Sequence, residues 1–230
     1  LLQVNKISKN GESKVGVDKT FTIAGQPYAI DKGIGSDDPR TPMRIHKIGF
    51  GREVQEMKVH YPADRPWISM LANSLSVAIE FNGHAYLWEY DDPSYYEDED
   101  REGAGYLQRA VLESDGIHWS PVQTTGRMPE EIAYFSVYDS MECRFYMVGI
   151  EDNLLYSMDM KSMHWERIET AFDQGVGDFG NIDFSMVDVV VSARKLHLFM
   201  GEHIVLDIDT KRWSLLKHSP FDQYTLRTAY

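Results

Sequence analysis

Eight histidines, one cysteine and a run of carboxylates are the residues of this chain whose chemistry could do more than pack a core. Zinc and related ions take imidazole and carboxylate ligands at short, recurring spacings. His197 and His203 flank Gly201 and could converge across a loop. No other ladder of His or carboxylate recurs at zinc spacings, so the histidines read as surface or strand-edge residues, and neither a metal nor a cofactor is expected. His118 and His164 each stand directly before a tryptophan, which in a strand turns them to the opposite face, toward solvent. The twelve arginines are scattered, with no local group of three to hold a carboxylate substrate as a glycan-processing site would require. Phosphate loops of the Gly-x-x-x-x-Gly-Lys kind and nucleophile elbows of the Gly-x-Ser-x-Gly kind are absent. No catalytic residue is assigned.

Two segments carry the remaining polar chemistry. Asp91 to Gly103 is strongly acidic and holds Tyr95 and Tyr96 beside Asp98, Glu99, Asp100 and Arg101. Charge runs are usually solvated faces, and the functional alternative is contact with a partner that presents a basic surface. Phe172 to Asn181 is a Gly-rich link containing Phe172, Asp178 and Phe179. Its glycines form no phosphate cradle, because no helix follows them, and it reads either as a spacer or as a recognition loop. These nine side chains are the candidate binding residues.

The elements that must position them follow from a repeat. Trp119, Trp165 and Trp213 lie 46 and 48 residues apart in the same local frame. An acid (Glu113, Asp159, Asp207) stands six residues before each Trp, and a small turn-former (Gly116, Ser162, Thr210) three before it. Each period is filled by short runs rich in Val, Ile, Tyr, Phe and Met, closed by Gly, Asn, Asp or Ser, with no sustained helical periodicity. Asn82-Gly83 between two apolar runs is a strong hairpin signal. The spacing therefore predicts an all-β chain, a β-propeller of four-stranded antiparallel blades, with four to five blades visible as a small propeller or an arc of a larger ring. The expected divisions are a divergent blade at 14–60, blades at 70–123, 130–170 and 183–217, and the start of another at 220–230, within one domain or fragment. The Trp at one fixed slot is expected to wedge neighbouring blades apart, and the acid to hold turn amides.

The chain has 230 residues, enough to bury a core without staples. With a formal charge of −13 its field repels a phosphate backbone, so direct general nucleic-acid binding is not expected. No apolar run approaches the ~20 residues needed to span a bilayer, so no membrane segment is expected. The single cysteine, Cys143, suits a reducing compartment, cytoplasmic or nuclear. The start at Leu1, without an initiator Met, reads as that of a fragment.

The blade endings resemble the kelch repeat, in which an acid and a short turn precede a Trp. Thr125-Gly126-Arg127-Met128-Pro129 is similar to the kelch link between blades. Single glycines, Gly149 and Gly201, stand where kelch blades usually carry a pair, so a divergent kelch-type or F-box-associated propeller is the nearer description. The resemblance implies a non-catalytic protein-binding module, an adaptor, substrate-recognition or accessory subunit of a complex. It also implies an enzyme alternative, either a copper radical oxidase with a Cys bonded to a Tyr, for which Cys143 lies near Tyr138 and Tyr146, or a glycan-processing propeller.

Overall fold

A computed structural model describes residues 4–8, 11–15, 19–31, 44–49, 53–62, 78–91, 104–129, 133–149, 154–173, 188–199 and 203–216. Every described element is a β-strand; apart from one separate two-stranded hairpin, the strands form four blade-like sheets of β-propeller type. No helix among these residues is long and apolar enough to cross a membrane. The chain falls into two units, Leu1–Gln123 and Thr124–Tyr230.

In the first unit a short hairpin pairs β1 (Val4–Ser8) with β2 (Gly11–Val15). The first blade runs β3 (Lys19–Ile23), β4 (Gln26–Asp31), β5 (Arg44–Ile48), β6 (Val54–Met57), each antiparallel to the next. These are the four slots expected for the divergent copy. After β7 (Val59–His60), the second blade is β8 (Ala78–Phe81), β9 (His84–Asp91), β10 (Ala104–Glu113) and β11 (Gly116–Pro121). In the second unit β12 (Thr125–Gly126) precedes the blade β13 (Ala133–Asp139), β14 (Arg144–Gly149), β15 (Leu155–Asp159), β16 (His164–Ile168). β17 (Ala171–Phe172) precedes the last described blade, β18 (Asp188–Ser192), β19 (Lys195–Phe199), β20 (His203–Asp207), β21 (Arg212–Leu216). Residues 220–230, expected to open a further blade, lie outside the described residues.

Turn chemistry explains why these runs fold back where they do. Ala24-Gly25, Asn82-Gly83 and Ala193-Arg194 all have positive φ at both central residues, the geometry that matches strand twist in a two-residue hairpin. Ala and Arg disfavour that region, and Arg194 is tied down there by Asp209 of a neighbouring turn and by Glu142 of the adjacent blade. The four-residue turns 140–143, 160–163 and 208–211 end on Cys143, Met163 and Lys211, each with positive φ. An aspartate opens each of them. Asp139 Oδ1 accepts from the amides of Met141 (2.9 Å) and Glu142 (3.2 Å), Asp159 Oδ1 from Lys161 (2.8 Å) and Ser162 (3.4 Å), and Asp207 Oδ1 from Thr210 (2.9 Å).

A feature absent from the sequence reading is a fifth strand on three blades. β7, β12 and β17, the links leading into each blade, pair in parallel with its outermost strand, β11, β16 and β21 respectively. They cover an edge that would otherwise present unpaired amides and carbonyls. The approach is close: a Cβ on Gly116 would lie 2.4 Å from the Lys58 carbonyl oxygen, and one on Gly126 2.0 Å from that of Trp165.

The core of each unit lies between its two blades. Phe21, Tyr28, Ile30 and Ile45 of the first blade meet Leu87, Ala110, Ile117 and Trp119 of the second. Tyr146, Val148, Leu155 and Ile168 meet Leu196, Leu198, Leu206 and Trp213 in the other unit. Trp119 and Trp213 are thus wedges between blades, as expected. Trp165 is equally buried, packs edge-on against Phe145, and occupies the corresponding pairing slot opposite Met158. It faces the side of its sheet away from Tyr146 and Val148.

Candidate functional site

Tyr95, Tyr96, Asp98, Glu99, Asp100, Arg101, Asp178 and Phe179 lie outside the described residues. β9 ends at Asp91 and β10 begins at Ala104, so the acidic segment joins the strand ends opposite the tight turns at 82–83 and 114–115. Phe172 is within β17, where its ring stacks on the Trp213 indole at 6.3 Å and an interplanar angle of 13°. It packs against the blade core instead of standing free in a loop.

The repeat acids divide. Asp159 and Asp207 hold turn amides as expected, and these bonds keep both carboxyls below the usual aspartate range. Asp139, not singled out in the sequence, does the same work six residues before Phe145. Glu113 differs. The pairing registers explain why: Trp119 pairs with Ala110 as Trp165 pairs with Met158, so the strand position of Asp159 is filled in the second blade by Val111. The β10–β11 hairpin is therefore longer by two residues, and Glu113 sits farther out, beside a two-residue turn.

That longer hairpin carries the most chemically provocative group among the described residues. His118 on β11 and His60 on β7 are direct partners in the parallel pair, so both imidazoles leave the same face. Their rings stack at 4.1 Å and 9°. Asp115, in the hairpin turn, accepts a hydrogen bond from His118 Nε2 through Oδ1 at 2.8 Å, while its Oδ2 lies 3.2 Å from His60 Nε2. The His60 contact lacks hydrogen-bond geometry, and that nitrogen, shielded from water, has no hydrogen-bond partner. The bond from His118 holds the Asp115 carboxyl below its ordinary range. The three ligand atoms lie within 4.8 Å of one another. His118, expected to be a solvent-side repeat position, is thus brought to a second histidine that no local spacing connects to it.

His197 and His203, which the sequence allows to converge but presents as surface or strand-edge residues, do meet. His197 Nδ1 and His203 Nε2 are 3.0 Å apart, and the rings flank Phe199. Burial pushes both imidazoles below the ordinary histidine range, and at His197 the neighbouring His203 and Lys195 add to the effect. Cys143 and Tyr138 interact at one end of the third blade. Burial, reinforced by Cys143, pushes the Tyr138 hydroxyl up to about 12.

No protein-family model and no curated protein matches the chain. Among solved structures it is similar to AztD of Citrobacter koseri, at 12% identity and a TM-score of 0.44 over 93% of this chain and 50% of that one. A second is the GH32 beta-fructofuranosidase BmSUC1 of Bombyx mori, at 13% identity and a TM-score of 0.46 over 94% and 51%. A third is the GH43 protein BlXynB of Bacillus licheniformis, at 10% and 0.42 over 88% and 40%. The chain spans about half the length of the first two and less of the third.

Proposed function

We infer that the chain is a non-catalytic protein-interaction module of propeller type, serving as an adaptor, recognition or accessory part of a larger complex in the cytoplasm or nucleus. The observation that carries this reading is the division between the two ends of the sheets. In every blade the strands turn back at one end through short hairpins held by Asp side chains or positive-φ residues. The acidic segment with Tyr95 and Tyr96 joins strands at the opposite end of its sheet. Rigid strands that present long connections at one end suit recognition, because the scaffold bears the folding and leaves the connection free to vary. The partner chemistry that fits is a basic surface, for which the carboxylates of Asp98, Glu99 and Asp100 supply attraction and the two tyrosines supply contact area.

A direct test uses a Lys/Arg-rich peptide as probe, followed by fluorescence anisotropy at low and moderate salt. The wild-type chain should bind, with affinity falling as salt rises. The variant Asp98→Asn, Glu99→Gln, Asp100→Asn should lose most of that binding while melting at the wild-type temperature. Equal binding by the two proteins refutes the acidic segment as the contact.

The proximity of Cys143 to Tyr138 favours the oxidase alternative enough to warrant its own measurement. A thioether between them would remove two hydrogens from the intact mass and abolish the free thiol. A full thiol titre at Cys143 after incubation with copper and oxygen rejects that reading.

A further inference from the structure

We propose that His60, Asp115 and His118 form a binding site for a divalent transition metal of the zinc type, with Glu113 as the fourth ligand. The donor set is two imidazole nitrogens and a carboxylate, the combination such ions select. Bonds of about 2.0–2.2 Å in a tetrahedral shell place ligand atoms roughly 3.3 Å apart. The observed separations, 2.8 Å from His118 Nε2 to Asp115 Oδ1 and 3.2 Å from His60 Nε2 to Asp115 Oδ2, fall just short of that value, so a small outward movement of the side chains would admit an ion. Glu113 Oε2 lies 3.8 Å from His118 Nε2, a short side-chain adjustment from the same shell. An ion would engage the His60 nitrogen that now has no hydrogen-bond partner, and would replace the His118 Nε2 proton that Asp115 now accepts.

The other blades provide an internal comparison. The position of His60 in the entering link is Thr125 in the third blade and Ala171 in the fourth, while that of His118 is His164 and Arg212. In the third blade His164 Nδ1 is already bonded to Thr125 Oγ1 at 2.9 Å. In the fourth, Arg212 pairs with Asp173. Only the second of these three blades joins two histidines across the parallel pair, and only its hairpin is lengthened so that Glu113 and Asp115 project beside them. The extension and the histidine pair belong to one blade, which a generic surface position would not require.

Such an ion would also fasten the link to the blade. β7 is held by a two-residue pairing and by the Ile117 amide donating to the Lys58 carbonyl at 2.9 Å. A metal bridging His60 to His118 and Asp115 adds bonds across that seam, so occupancy should stabilise the first unit.

The test uses the whole untagged chain, stripped with chelator and titrated with cobalt(II) by visible absorption and with zinc(II) by calorimetry. The wild type should take up one equivalent of zinc, give the intense visible bands of four-coordinate cobalt, and melt at a higher temperature once loaded. Asp115→Asn and His118→Asn should weaken zinc binding by about 100-fold or more, and Glu113→Gln by about 10-fold. His164→Asn and His203→Asn should bind as the wild type does. Metal-free melting curves establish that each variant is folded before titration. Failure of the wild type to take up zinc, wild-type affinity in Asp115→Asn, or an equal loss in His164→Asn or His203→Asn overturns the assignment. Peptide binding through the acidic segment is read separately and does not depend on this result.

Discussion

Replacing Trp213 with alanine should bring the second unit close to unfolding. The indole is fully buried between Tyr146, Val148, Leu155 and Ile168 of one blade and Leu196 and Leu206 of its own. Its Nε1 donates to Thr170 Oγ1 at 3.0 Å. Truncating a core tryptophan to alanine typically costs about 3–5 kcal/mol, because the transfer free energy is lost and the cavity closes only in part. The hydrogen bond contributes about 1 kcal/mol of its own. With a urea slope of about 2 kcal/mol per M, a loss of about 4 kcal/mol moves the unfolding midpoint down by ~2 M. Trp213→Phe keeps much of the packing but gives up the bond to Thr170. Trp165→Phe is the matched control, since the Trp165 Nε1 has no hydrogen-bond partner to lose. Equilibrium urea unfolding followed by far-UV circular dichroism reads all three. A midpoint shift below about 0.5 M for Trp213→Ala, at unchanged slope, would refute the placement of this side chain as a wedge.

Gly126→Ala should destabilise the third blade by at least about 1 kcal/mol, because it puts a Cβ against the Trp165 carbonyl at a residue whose φ is +81°. A melting temperature equal to that of the wild type would show that β12 can shift at no cost. Acid should act in two stages. His197 and His203 have folded pKa values below their ordinary 6.5, so the unfolded chain binds protons first. Their contribution is complete above that pH and is lost as pH falls through the folded values. Asp159 and Asp207, held below their ordinary 3.8, contribute above that value and lose the contribution at still lower pH. Melting temperature followed from pH 7.5 downward should begin to fall below pH 6.5, and the double variant His197→Asn, His203→Asn should remove that first step. A first step of unchanged size in the double variant would place its cause elsewhere.

Much of the fold was legible because its punctuation is local. Asn82-Gly83 encodes a hairpin through the φ values of two residues, and Asp159 and Asp207 encode turns through amides two or three positions away. The tryptophan frame is legible for a similar reason, since a strand of fixed pleat returns the same slot to the same face in each period. The frame misled at Glu113, where distance from the Trp was conserved but strand pairing was not, and a hairpin longer by two residues moved the acid out of register. Asp139 escaped notice because its frame ends on Phe145 instead of a tryptophan.

Sequence alone determined the four-stranded blade pattern and the tight turns at which its hairpins reverse, and it left His197 and His203 only as residues that could converge across a short connection. Tertiary structure decided what lies on the blade edges. A two-residue parallel pairing leaves no periodicity to read, and its partners are far apart along the chain, so nothing local joins Val59 and His60 to Ile117 and His118. The glycines at 116 and 126 look like ordinary turn residues, yet the demand on them comes from a backbone that arrives from another segment. The same arrival brings His60 to Asp115 and His118. Hairpins are specified by the torsions of adjacent residues, whereas that cluster exists only because the connecting strand docks on a folded blade.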